Sequence, residues 1–108
     1  MTDSPPPQFT FQWDAGNLEK LEKVRASGRF FTVGELESVF DDPEQLVETS
    51  YPDERTGEPR YRIIGQSNQN RVISVIFVLR GEKGDEIRII NAWKTKQAPL
   101  KRYYEQRG

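Results

Sequence analysis

The stretch from Arg60 to Lys94, RYRIIGQSNQNRVISVIFVLRGEKGDEIRIINAWK, constrains the fold more than any other, because turn-forming residues divide it into three strand-like segments. Val72 to Leu79 is almost wholly apolar and rich in Val, Ile and Phe, as a central strand covered on both faces requires. Glu86 to Lys94 alternates instead. Two-residue periodicity puts Ile87 and Ile89 on one face and Arg88, Ile90, Ala92 and Lys94 on the other, so the second face carries cations. Tyr61 to Gln66 reads as a further strand, and Leu46 to Tyr51 pairs with it as a hairpin across the turn-rich PDERTGEP.

Ahead of this run, Phe9, Phe11 and Trp13 alternate with polar residues, which predicts an edge strand with one buried face. Asp14 suits the N-cap of a helix whose apolar positions are Leu18, Leu21 and Val24, and Ser27-Gly28 ends it. Thr32-Val33-Gly34-Glu35 matches a capping box, in which the Thr hydroxyl and the Glu carboxylate satisfy each other's orphan amides. The helix it opens has the apolar face Leu36, Val39 and Phe40 and stops at Asp41-Asp42-Pro43. Gln97 to Glu105 predicts a third helix, on which Tyr103 and Tyr104 cannot both face the sheet. The order is strand, two helices, four antiparallel strands and a terminal helix, an α+β plan with the helices on one face of the sheet. Residues 1–8, with Pro5-Pro6-Pro7, read as a flexible lead, and residues 9–108 as a single domain.

The chain has no Cys and no His, which removes disulfides, thiolate sites and imidazole chemistry. Asp41, Asp42 and Glu44 form the densest carboxylate cluster, but they lack the spacing of a calcium loop and read as a helix stop. No metal site and no cofactor are expected. MTDSPPPQ lacks the apolar run of a secretion signal, and no segment approaches the ~18 apolar residues of a membrane span. The expectation is a soluble, cytoplasmic protein without membrane contact.

Charge is distributed unevenly. Through Arg55 the chain carries 12 of its 17 acids but only 5 of its 16 bases. The basic second half suits a polyanion and the acidic first half a basic partner. Equally, the halves can neutralise each other across the fold.

FQWD, Asn17 with Lys20 and Lys23, VFDDP, RYRIIGQS, GDEIRIINAWK and RYYE follow one another as the landmarks of the BrnT family do. From Phe9 to Glu105 the chain resembles that family, the toxins of type II toxin–antitoxin pairs. The resemblance implies a RelE-like fold, endoribonuclease activity that inhibits translation, RNA as substrate, and a BrnA-like, DNA-binding antitoxin as partner. Carried over by position, it marks Arg60, Arg88, Lys94 and Tyr103 as catalytic. Lys20, Lys23, Trp93, Lys96, Lys101 and Arg102 become candidates for RNA binding. The resemblance is to a divergent member. The family's first helix typically ends in Lys-His-Gly, where this chain reads VRASG, and Trp93 replaces a usual Arg. These departures keep open a non-catalytic interaction or RNA-binding module on the same fold.

The chemistry fits those residue types. Cleavage by 2′-hydroxyl attack needs a base, cations at the crowded phosphorane and an acid for the 5′-oxygen. Arg60 and Arg88 suit the second task, since a guanidinium stays charged and grips phosphate through two hydrogen bonds. Lys94 or Tyr103 can protonate the leaving group if neighbouring cations lower its pKa. Each residue also has a plainer role. Arg88 can be an ion-pair partner of Glu48 or Glu86, and Trp93 can pack rather than stack on a base. Lys96, Lys101 and Arg102 can form a solvated helix face.

Overall fold

The apolar run that begins at Val72 lies in the middle of a sheet, as its composition requires. The protein, represented by a computed structural model, is described over residues 9–26 and 31–107. Its elements follow the expected order: β1 (Thr10–Phe11), α1 (Ala15–Ala26), α2 (Val33–Ser38), β2 (Leu46–Thr49), β3 (Tyr61–Gln66), β4 (Val72–Arg80), β5 (Glu86–Lys94) and α3 (Gln97–Arg107). The Pro-rich lead over residues 1–8 and the Ser27-Gly28 helix stop lie outside the described residues, as does the side chain of Val24.

The strands form one mixed sheet in the order β1-β5-β4-β3-β2. β2 to β5 are antiparallel neighbours, while β1 adds to β5 in parallel over Thr10 and Phe11 alone. The expected edge strand is therefore short, with Phe9 exposed and Phe11 and Trp13 packed on the core.

Helices cover both faces of the sheet, not one. On the first face Leu36 and Val39 meet Ile63, Ile73, Val75, Phe77, Ile87, Ile89 and Ala92 in the main core. Gly65 permits this packing, because a Cβ there would stand 2.9 Å from the Val39 carbonyl oxygen. Ile64, Val78 and Tyr103 are also buried but lie outside that cluster. They belong to the second face, where Arg102 of α3 reaches Glu48, the cross-strand partner of Arg62. Strand alternation thus feeds two layers of unequal depth.

Helix starts follow local chemistry with two departures. Asp14 accepts hydrogen bonds from the Gly16 and Asn17 amides at 3.0 and 3.3 Å, and the Asn17 side chain in turn accepts from the Asp14 amide at 2.8 Å. That reciprocal cap buries Asn17, while Leu18, expected in the core, is 40% exposed. Thr32 caps α2 by accepting from the Glu35 amide at 3.0 Å, as expected. The Glu35 carboxylate goes elsewhere. It is buried and accepts from Ser67 Oγ at 2.7 Å and Arg71 Nε at 2.8 Å, tying α2 to the loop before β4.

Candidate functional site: an arginine face on the sheet

β5 does not alternate strictly. Ile76 faces Asn91 while Phe77 faces Ile89, so Ile90 is an extra residue, a β-bulge that resets which side chains point where. Ala92 joins the same core as Ile87 and Ile89, and Lys94, paired with Ile73, falls on that face too. The expectation that Arg88, Ala92 and Lys94 share a face is corrected by this one residue. Arg88 shares its face with Asn91 and Trp93, the partners of Ile76 and Ser74.

The second face gathers arginines. Arg62 pairs with Ile76 in one row, and Val78 with Arg88 in the next. Arg60 immediately precedes β3, its carbonyl accepting from the Ser50 amide at 2.9 Å, so alternation sets it beside Arg62. α3 adds Arg102.

Every one of these guanidiniums holds a carboxylate. Arg60 Nη2 donates to Asp53 Oδ2 at 2.9 Å. Arg88 donates to Asp14 at 2.6 and 3.1 Å, and not to Glu48 or Glu86 as the sequence suggested. Gly16 stands against this pair, where a Cβ would lie 3.1 Å from Arg88 Nη2. Arg62 Nε donates to Glu48 Oε1 at 2.8 Å, with a second hydrogen bond from its Nη2. Arg102 donates to both oxygens of the same carboxylate, at 3.0 and 3.1 Å. At the rim Arg80 pairs with Glu58 through two hydrogen bonds of 3.0 Å.

These pairings set the protonation equilibria. Hydrogen bonds from Arg102 and then Arg62, against the cost of partial burial, hold the Glu48 carboxyl down at about 2. The Arg88 hydrogen bond keeps Asp14 below the usual carboxylate range. For Asp53, also held below the usual carboxylate range, the order of causes is different: the Thr56 and Arg55 amides come first and the charge of Arg60 follows. Burial pushes Glu35 up, but Arg71 and Ser67 outweigh it and the net shift is downward.

The expected site residues are thus divided. Arg60, Arg88, Trp93 and Arg102 lie on the side of the sheet that carries the arginines, with Trp93 toward the other end of β5 from Arg88. Lys94 is exposed on the opposite face. Lys20 and Lys23 are exposed on α1, where Lys20 borders a cleft with Trp13, Asn17 and Asn91. Lys96 and Lys101 are exposed at and within the start of α3. Tyr103 is fully buried and donates its hydroxyl to Asp42 Oδ2 at 2.5 Å, whereas Tyr104 is half exposed. Sequence reasoning passes over Arg62, Asp14 and Glu48 as site residues. The R-Y-R spacing is the signal for Arg62, because alternate strand residues share a face.

Among the described residues no group of three or more acids is gathered as metal ligands, and no helix is long and apolar enough to cross a membrane. Fold and site together define a small α+β protein with an arginine-lined sheet face, each of whose guanidiniums already grips an anion. A family model described as "Ribonuclease toxin, BrnT, of type II toxin-antitoxin system" matches residues 13–98, and the chain belongs to that family. Membership brings ribonuclease activity as the family's function and an antitoxin as its partner. No curated protein matches the chain. The family match ends within the first turn of α3, leaving Lys101, Arg102 and Tyr103 beyond it.

Proposed function

We propose that the chain is a metal-independent endoribonuclease with a RelE-like fold, acting in the cytoplasm to cleave RNA and slow translation until a BrnA-like antitoxin silences it. The observation that carries this reading is the convergence of Arg60, Arg62 and Arg88 on one sheet face in a member of a ribonuclease-toxin family. Arg60 and Arg88 are assigned to the scissile phosphate, where two-pronged donors stabilise the phosphorane better than the ground state. Lys94 is the candidate acid for the 5′-oxygen. Its position on the opposite face requires the RNA to cross the β5 edge. Tyr103 is assigned a positioning role, because its proton is committed to Asp42 and its ring is buried. Trp93, Lys20, Lys23, Lys96, Lys101 and Arg102 are assigned to the RNA strand on either side of the scissile bond.

A second reading is a binding module with a degenerate active site. It is favoured by the carboxylates that already occupy Arg60 and Arg88, and by Trp93 standing where the family has an Arg. Incubating the purified chain with single-stranded RNA in EDTA separates the two. Cleavage in chelator supports the ribonuclease, cleavage only with a divalent ion rejects the metal-independent route, and no cleavage under any condition promotes the binding module.

A further inference from the structure

We propose that Arg62 and Arg102 form a seat for a backbone phosphate of RNA, and that Glu48 fills this seat in the free protein. The proposal rests on the ribonuclease reading and adds a subsite to it. Arg62 lies on β3 and Arg102 on α3, and one carboxylate draws both guanidiniums together. Guanidinium forks bind carboxylate and phosphate with the same paired geometry, so the arrangement that holds Glu48 is also the one that holds a phosphodiester. Two cations share a single anion, which leaves the cluster net positive. The side chains remain open to solvent, with 29% of Arg62, 48% of Arg102 and 27% of Glu48 exposed. Glu48 belongs to β2, the outermost strand of the sheet, so no further strand confines it. The seat lies on the same sheet face as Arg60 and Arg88, so one RNA strand on that face can meet both. The competing account is structural: the shared carboxylate merely pins α3 to the sheet.

Binding of a labelled single-stranded RNA, with methylated 2′-hydroxyls so that it is not cut, distinguishes them by fluorescence anisotropy over a salt series. Glu48→Gln keeps the side chain's shape and removes its charge. Asp41→Asn changes net charge equally but releases no arginine, since Asp41 is exposed on the turn after α2. The seat predicts that E48Q binds at least about 5-fold tighter than wild type, because the phosphate then has no carboxylate to displace from the two guanidiniums. D41N should change affinity by less than about 2-fold, as expected for a screened charge away from the strand. In the otherwise native chain, Arg102→Ala should weaken binding and flatten the slope by about 0.7, which keeps the test alive if E48Q does not fold. E48Q binding no tighter than D41N, or R102A leaving the slope unchanged, overturns the seat. If wild type still cleaves unmethylated RNA in that case, the ribonuclease reading survives; RNA neither bound nor cut by any variant overturns both.

Discussion

Arg88 and Asp14, 74 residues apart in the chain, are joined by two parallel hydrogen bonds, Nη1 to Oδ2 at 2.6 Å and Nη2 to Oδ1 at 3.1 Å. The same Oδ1 accepts the first free amides of α1, from Gly16 and Asn17. One carboxylate therefore caps a helix and holds a guanidinium on the sheet face, coupling the position of Arg88 to the start of α1.

Variants of Asp14 separate the two tasks. Asparagine caps helices as well as aspartate does, whereas alanine does not. Asp14→Asn should keep the melting temperature closer to wild type than Asp14→Ala, while both release Arg88 from its anion. Thermal melts by circular dichroism check this; equal losses for both variants would mean that the ion pair, not the cap, carries the stability.

Tyr103 tests whether the third helix is held down or takes part in the chemistry. Asp42 Oδ2 accepts from the Tyr103 hydroxyl at 2.5 Å and from the Gln66 amide at 2.8 Å, so one carboxylate joins α3 to the end of β3. Tyr103→Phe should cost about 1–3 kcal/mol in urea melts. Cleavage should be near normal at temperatures where the variant stays folded. Full stability with lost cleavage would instead return Tyr103 to the catalytic set.

Acid should weaken the protein in a defined window. Glu48 and Glu35 have folded-state pKa values below their ordinary 4.5, Glu48 at about 2. A depressed carboxyl contributes stability that is complete above the unfolded value and is lost as pH falls through the folded one. Melting temperatures should therefore hold level above about 4.5 and decline toward 2, with Glu35→Gln and Glu48→Gln each flattening the decline. A decline of wild-type steepness in both variants would place the acid-sensitive groups elsewhere.

The antitoxin should cover the arginine face, meeting Arg60 and Arg88 with acidic or apolar groups, and use the exposed Asp41 and Glu44, since Glu35 is buried against Arg71, for a basic segment. Hydrogen exchange on the co-expressed complex should show added protection in β3 and β5. A stable complex that leaves these strands unprotected and RNA binding unchanged would mean that inhibition does not work by occlusion.

Much of this architecture is legible in the sequence. The apolar run of β4, the PDERTGEP hairpin and the Thr32 cap are local signals, and local signals survive folding. The site is less legible because its logic is long-range. A bulge costs one residue and leaves no compositional mark in IRIINAWK, yet it moves Ala92 and Lys94 to the other face. Partner choice is hidden too: Glu35 forgoes its capping box for Arg71, and Arg88 finds Asp14 rather than a neighbour in the sheet. The charge asymmetry is informative in its plain form. Among the described ion pairs, all but Arg80 with Glu58 join an acid of the first half to an arginine of the second.

The most direct test of the arginine face is single-turnover cleavage of one RNA, in EDTA, by wild type, Arg60→Ala and Arg88→Ala, with thermal melts alongside. Loss of a donor to the transition state predicts rates lower by about 100-fold or more in each variant while the fold stays intact. Variants that remain folded and cleave at the wild-type rate would contradict the assignment of these arginines to the phosphate.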